Sequence, residues 1–397
     1  MKKNGKMKIV QYIVVILIVI VLLCGIFSIL KRLTGTSSTD KLSDGGKKQQ
    51  AAESTTEKKV DNSVPMTKLS VGAPAGTIRV GETMQLEIAH EPADATNTEL
   101  KWTCSEKGAV TVSEDGVLTP SQDSAKSTVT VTAETTDGSD ISTSFELRIY
   151  PEIDPSKPMV AITFDDGPYP ETTNPMLDAL EENYAKATFF CLGQNVEYYP
   201  EVVQREYELG LEVGTHTYAH KQLTALSESA LEDEIVKAVE ANKKAIGVAP
   251  SLMRPPYGAV NKTVLNAVGS HGLTCMNWSL DTEDWKTKNA DATYNMVMKA
   301  ADGDVVLLHD IHEYNVDAVK RFVPDLIAQG YQLVTVSELY KNRGETLEPG
   351  TLHYRTDPTT ESSGETTAAG SEDGMDDTDD EADAEAGSAE DQTDEEE

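Results

Sequence analysis

The sequence predicts an α/β domain of parallel strands joined to a smaller all-β sandwich. Three observations carry that prediction. Between about 155 and 345, seven short apolar runs alternate with segments of helical period, a grammar that implies parallel strands in an open sheet or a barrel. Between about 68 and 150, apolar residues recur at every second position between frequent turns. The full length, 397 residues, exceeds one ordinary domain and is enough for two or three cores.

Residues 1–32 predict a short cytoplasmic tail and a transmembrane helix. From Ile9 to Leu30, 22 residues carry no charge, and at ~1.5 Å per residue they match the ~30 Å of a bilayer's hydrocarbon. Lys2, Lys3, Lys6 and Lys8 precede the run, and Lys31 and Arg32 follow it. The more basic leading flank predicts an inside N-terminus and a single-pass protein in the cell membrane, with its working domains extracytoplasmic. A cleaved signal peptide is the competing reading, but its apolar region is typically shorter and ends in small residues. At Leu22-Leu23-Cys24-Gly25 a large Leu23 stands where lipoprotein processing wants a small residue.

Residues 33–67, rich in Ser, Thr, Lys and Gly, predict a flexible linker, because they offer too little apolar surface to offset ordering entropy. In 68–150, Met84–Ile88, Thr128–Thr132 and Phe145–Ile149 alternate apolar and polar residues. Asp115-Gly116 signals a hairpin between Val110-Thr111-Val112 and Val117-Leu118. Trp102 reads as a core residue.

In 155–345 the expected strands are Met159–Phe164, Ala187–Leu192, Leu211–Thr215, Ser251–Pro255, Leu273–Ser279, Asp304–Leu308 and Tyr331–Val336. The clearest helix is Ser229–Gly247, with Leu231, Ile235, Ala238 and Val239 on one face and Gly247 closing it. Residues 346–397 hold 19 acidic residues against Arg355 alone, which predicts a disordered acidic tail.

The net charge is −33, of which that tail carries −18. This balance excludes a nucleic-acid partner, which needs a basic face. Four cysteines in so long a chain do not make a disulfide framework, and Cys191 and Cys275 read as buried thiols.

Polar residues cluster at strand ends. Asp165-Asp166 follows the first strand, and His216 and His220 follow the third. Arg254-Pro255-Pro256-Tyr257-Gly258 ends the fourth. Asp281 and Asp284-Trp285 follow the fifth, and His309-Asp310 the sixth. Parallel strands bring such ends to one rim, where active sites are assembled. His216 and His220, four apart, would share one side of a helical turn, and a carboxylate would complete a two-His, one-carboxylate metal set. Asp165 and Asp166 must take separate roles, since consecutive side chains at a strand end point in different directions.

Segments Thr163–Pro168, His216–His220, Arg254–Gly258, Asp281–Trp285 and Leu307–His309 resemble, in order and spacing, the five motifs of the polysaccharide deacetylase family (carbohydrate esterase family four). Residues 68–150 resemble the bacterial Ig-like domain, group 2, through Val80–Thr83, Pro92–Thr96, Leu100–Trp102 and Glu114–Leu118.

The first resemblance implies a distorted (β/α)7 barrel and a hydrolase that removes N-acetyl groups from N-acetylglucosamine residues of a cell-wall glycan, peptidoglycan first. It implies that Asp165 is the general base and that Asp166, His216 and His220 bind a divalent metal, usually Zn2+, with Co2+, Ni2+ or Mn2+ as alternatives. Arg254 would orient the base, Asp284 would pair with Arg254, and His309 would be the general acid. The backbone N–H of Tyr257 would hold the oxyanion, with Pro256, Trp285 and Leu307 also at the substrate. The second resemblance implies a spacer or wall-contact module. Left open are a chitooligosaccharide or poly-N-acetylglucosamine deacetylase, an O-acetyl xylan esterase, a wall-binding adhesive protein and a non-haem iron oxygenase.

Overall fold

A computed structural model describes residues 63–357. Among them no helix is long and apolar enough to cross a membrane. The apolar run 9–30, the linker up to 62 and the tail beyond 357 lie outside them.

The first module has strands β1 (Lys68–Gly72), β2 (Thr77–Arg79), β3 (Met84–Gln85), β4 (Glu87–Glu91), β5 (Leu100–Cys104), β6 (Val110–Val112), β7 (Val117–Pro120), β8 (Ser127–Thr135) and β9 (Ser142–Tyr150). They form sheets ordered β2-β9-β8-β5 and β3-β7-β6, with β1 and β4 as a separate pair. The predicted hairpin joins β6 to β7, and Gly116 occupies it with φ 77. Val129, Val131 and Leu147 alternate inward to a core that also takes half-buried Trp102. The module begins earlier than 68: the Thr67 N–H donates to the Glu91 carbonyl, and Met66 is buried.

The second module has β10 (Met159–Asp165), β11 (Thr188–Cys191), β12 (Glu212–Thr215), β13 (Leu252–Met253), β14 (Thr274–Met276), β15 (Leu280–Asp281), β16 (Val305–His309), β17 (Gln332–Val334) and β18 (Leu352–His353). Their parallel ladder runs β15-β16-β10-β11-β12-β13-β14-β18, with β17 beside the first half of β10. All seven expected runs hold strand residues. The fifth, Leu273–Ser279, is strand only in its first half: β14 pairs with β13, residues 277–279 cross over, and a further short strand just beyond the run, β15, pairs with β16. The sheet is a curled parallel half-barrel, short of the closed barrel expected: among the described residues no hydrogen-bonded ladder joins β14 to β15. Residues 352–356 lie in that seam: β18 pairs with β14, and Arg355 and Thr356 pair with Asp304 and Gly303 just before β16.

The fold also continues beyond 345, where the tail was expected to start. Strand β18 lies along β14, and the Thr356 N–H donates to the Gly303 carbonyl. This was illegible locally, because Leu352-His353 is too short to show a period. The expected long helix is Glu228–Ile246, capped by the Ser227 hydroxyl and ended by Gly247. Cys191 and Cys275 are buried and unpaired.

Alternation along β10 aims the chemistry. Val160, Ile162 and Phe164 face the helices, whereas Met159 and Ala161 face the interior. Thr163 and Asp165 share the interior parity and are buried. Register does the rest: Asp165 lies opposite His309 on one side and Phe190 on the other.

The β-sandwich does not hang free. Arg79 donates to both Glu338 oxygens at 2.7 and 2.9 Å, Lys186 lies 3.3 Å from the same carboxylate, and the Tyr150 hydroxyl donates to the Leu209 carbonyl at 2.8 Å. Arg148 pairs with Glu181. Burial alone would raise the Glu338 carboxyl, but its hydrogen bonds from Arg79 and the Lys186 charge hold it at about 2. A depressed acid stabilises the fold above its ordinary range, and that stability is lost as pH falls through the folded value. Thermal stability should therefore drop from roughly pH 4.5 towards pH 2, with a shallower fall in Glu338→Gln. Melting curves of the two proteins across that window check it.

Candidate metal centre

Asp166, His216 and His220 offer three ligand atoms within 4.8 Å of one another. The His216 and His220 Nε2 atoms lie 3.6 and 3.5 Å from Asp166 Oδ1. That oxygen is buried and accepts no hydrogen bond, an arrangement that is costly unless a cation completes it. His216 Nδ1 lies 2.6 Å from the Arg254 carbonyl. The carbonyl can only accept, so the proton sits on Nδ1 and Nε2 keeps its lone pair for a metal. Burial lowers the His216 pKa to about 3, so the ring is neutral. One carboxylate and two imidazoles suit a divalent ion with open positions, and the donor set fits.

The two histidines do not share a helical turn, as their spacing had suggested. They sit in a loop after β12, with Thr217 at φ 68 and His220 at φ 54. The Thr217 hydroxyl accepts from the His220 N–H at 3.1 Å, and the Gly193 and Gln194 N–H groups donate to the Thr217 and Tyr218 carbonyls. The second strand's loop thus braces the third's. Asp166 is also left-handed, at φ 77, and both carboxylates face one nitrogen: His216 Nε2 lies 3.6 Å from Asp166 Oδ1 and 3.7 Å from Asp165 Oδ2. The Asn195 side chain donates to the Asp166 carbonyl at 2.7 Å. Beside it, Gly167 has no room for a side chain: a Cβ would lie 2.1 Å from Asp310 Oδ2.

Arg254 is wholly buried and donates four hydrogen bonds. It donates to Asp165 Oδ1 and the Thr163 hydroxyl at 2.7 Å each, and to the Met276 and Asn277 carbonyls at 2.9 and 3.0 Å. Its guanidinium lies 4.2 Å from the centre of the Phe190 ring. Burial raises the Asp165 pKa, opposed by Arg254 and His309.

Asp284 does not pair with Arg254. It accepts from the His309 backbone N–H at 2.9 Å and lies 2.8 Å from His309 Nδ1, with the Asn315 amide as a further partner. The reason is register: Asp281 lies opposite Leu307, which brings the next turn of chain beside His309, whereas Arg254 projects across the interior. Burial disfavours the His309 cation, but the bond to Asp284, reinforced by the charges of Asp284, Asp165 and Asp166, raises its pKa to about 9.

Around this centre Leu307 and Pro256 are buried, while Trp285 and Tyr257 are 52% and 68% exposed. The Tyr257 ring stands edge-on to His220 at 4.9 Å, on a left-handed backbone with φ 61. Asn195 and Asn315 were missed by sequence reasoning. The strand-end argument, extended to the second strand, would have caught Asn195, since Gly193-Gln194-Asn195 follows it. No local pattern marks Asn315.

The bacterial Ig-like domain (group 2) profile matches residues 65–143, and the polysaccharide deacetylase profile matches 152–276, short of Asp284 and His309. A peptidoglycan-N-acetylglucosamine deacetylase of Bacillus cereus is 37% identical over 48% of this chain and 92% of its own length. The chain belongs to the polysaccharide deacetylase family. Other members include the peptidoglycan-N-acetylglucosamine deacetylase PgdA of Listeria monocytogenes, 43% identical over 49% of this deacetylase-family chain. The peptidoglycan-N-acetylmuramic acid deacetylase PdaC of Bacillus subtilis is 42% identical over 47%. The chain spans only 41% and 40% of the length of those two relatives.

Proposed function

We propose that this polysaccharide deacetylase-family chain is a zinc-dependent hydrolase that removes N-acetyl groups from N-acetylglucosamine in peptidoglycan. We further propose that it works outside the cytoplasm, held to the cell membrane by residues 9–30. One observation carries the enzymatic reading: a three-ligand cation cage accompanies two separately supported proton carriers, Asp165 with Arg254 and His309 with Asp284.

Asp166, His216 and His220 would hold a divalent ion, which would supply Lewis-acid polarisation and make water a stronger acid. Asp165, its carboxyl raised by burial and oriented by Arg254, accepts the proton of the attacking water at the oxygen that Arg254 leaves free. The Tyr257 backbone N–H supports the developing oxyanion, a contribution of roughly 3 kcal/mol for one such donor. His309, fixed through Nδ1 by Asp284, turns Nε2 to the site and donates a proton to the departing amine. Leu307 and Trp285 flank the acetyl methyl.

The deciding experiment is acetate release from purified peptidoglycan by the full-length protein, with and without chelator. Release that a chelator abolishes and added zinc restores is the expected result; release insensitive to chelator refutes the reading. Product analysis separates N-acetylglucosamine from N-acetylmuramic acid, the sugar in the name of the 42% identical relative. Chitooligosaccharides and acetyl xylan, assayed alongside, address the alternatives that share this centre.

The pairing of His309 with Asp284 also sets a pH dependence. An acid must be protonated to act, so the alkaline limb of kcat/KM should follow His309, at about 9. In Asp284→Asn the support is lost and the limb should move down towards ~6.5, the ordinary histidine value. A pH profile of the two proteins checks it, and an unmoved limb would remove His309 from the acid role.

A further inference from the structure

The rim carries an aromatic surface that none of these steps uses. Tyr198 is 75% exposed and Tyr169 43%. Between them stands Tyr199, its ring centre 6.0 Å from that of Tyr169 and 6.4 Å from that of Tyr198. Tyr199 packs against the main core of the domain, so the two exposed rings rest on fixed support. The backbone explains why neighbouring tyrosines part company. Helix Gly193–Tyr198 ends where helix Pro200–Glu208 begins, and Tyr199 between them is non-helical, at φ −132 and ψ 54. One ring turns inward and the other out.

This surface is tied to the cation cage. The first residues of helix Gly193–Tyr198 donate backbone hydrogen bonds to Thr217 and Tyr218, between the two histidines, and Asn195 on the same helix holds the Asp166 carbonyl. Asp166 and His220 line the same open cleft of about 540 Å3 as the three tyrosines.

We propose that Tyr198 and Tyr169 form a sugar-stacking shelf. It would hold a neutral pyranose of the strand under attack, beside the residue whose acetyl group lies at the cation cage. The proposal rests on the deacetylase reading and extends it to where the polymer runs. Continuity is the first argument: a chain with one sugar at Asp166 and His220 must continue into the space those residues share. Chemistry is the second. Among the described residues no lysine or arginine lines the cleft, so away from the cation cage its tyrosine side offers no fixed cation to a carboxylate or phosphate. A phenol instead offers a flat apolar face with a hydroxyl at its edge, which matches the C–H face and hydroxyl rim of a pyranose. Exposure is the third: rings that support one another but leave their outer faces in water present a contiguous apolar patch, as binding surfaces do.

The test compares kcat/KM on chitotetraose with kcat/KM on 4-methylumbelliferyl acetate, an ester too small to reach the shelf. In Tyr198→Ala the ratio should fall by about tenfold, mainly through KM for the tetramer, as expected for loss of one aromatic contact. Tyr198→Trp restores a stacking face and should bring the ratio back to within about twofold of wild type, while Tyr169→Ala lowers it. An unchanged ratio in Tyr198→Ala overturns the shelf. So does a loss that Tyr198→Trp fails to rescue. If the wild-type protein releases no acetate from the tetramer, the deacetylase reading fails by itself. Calorimetric titration with chitotetraose then decides the shelf: binding weakened in Tyr198→Ala supports it, and equal or absent binding in both proteins refutes it.

Discussion

In His216→Ala, bound divalent metal should fall to background and acetate release should fall with it by on the order of 10³-fold or more, since several kcal/mol of transition-state stabilisation leave with the ion. His216 is the deepest of the three ligands, and its other ring nitrogen is already committed to the Arg254 carbonyl. No other described side chain belongs to the ligand set, so the two that remain leave one position fewer than a catalytic site requires. The substitution also removes a buried hydrogen bond, with an expected stability loss of about 1–3 kcal/mol. The protein should therefore still fold. Metal content after dialysis, read beside a melting curve and the acetate assay, checks the prediction. Full metal content in the variant would move the cation elsewhere.

Asp165→Asn should behave oppositely. Metal stays, because Asp166, His216 and His220 are intact, but kcat falls by roughly 10²–10⁴-fold as the proton acceptor disappears. A second consequence comes from Arg254, which is wholly buried and has Asp165 as its carboxylate partner. Removing one charge of a buried pair typically costs about 3–5 kcal/mol, because the other stays uncompensated. The amide can keep the hydrogen bond at 2.7 Å, so the loss should lie at or below the lower end of that range. Metal content and a melting curve read beside the acetate assay separate the proton transfer from the packing, and activity retained in Asp165→Asn would refute the base assignment.

Much of this centre was legible before any coordinates. Period two in the first module and strand–helix alternation in the second are local properties, and each expected strand run holds strand residues. The rule that parallel strands end on one rim gathered Asp165, Asp166, His216, His220, Arg254, Asp284 and His309 without knowledge of their distances. Where that reasoning failed, it used spacing in place of conformation. The interval between His216 and His220 suggests a helical turn, yet two left-handed residues fold it into a loop braced by its neighbour. Composition suggested a tail from 346, yet the next residues lay a strand along β14.

The amino-acid order by itself determined which residue types stand at which strand ends and where helix Glu228–Ile246 starts and stops, because helical period and capping act within a few residues. Only the tertiary structure decided the partnerships: Asp284 with His309 and not Arg254, Arg254 with Asp165, and Asn195 and Asn315 as supports. It also docked the β-sandwich through Arg79 and Glu338, residues 259 positions apart. Such pairings follow from strand register and from the side chains packed across the interior, and no neighbour in the chain encodes them.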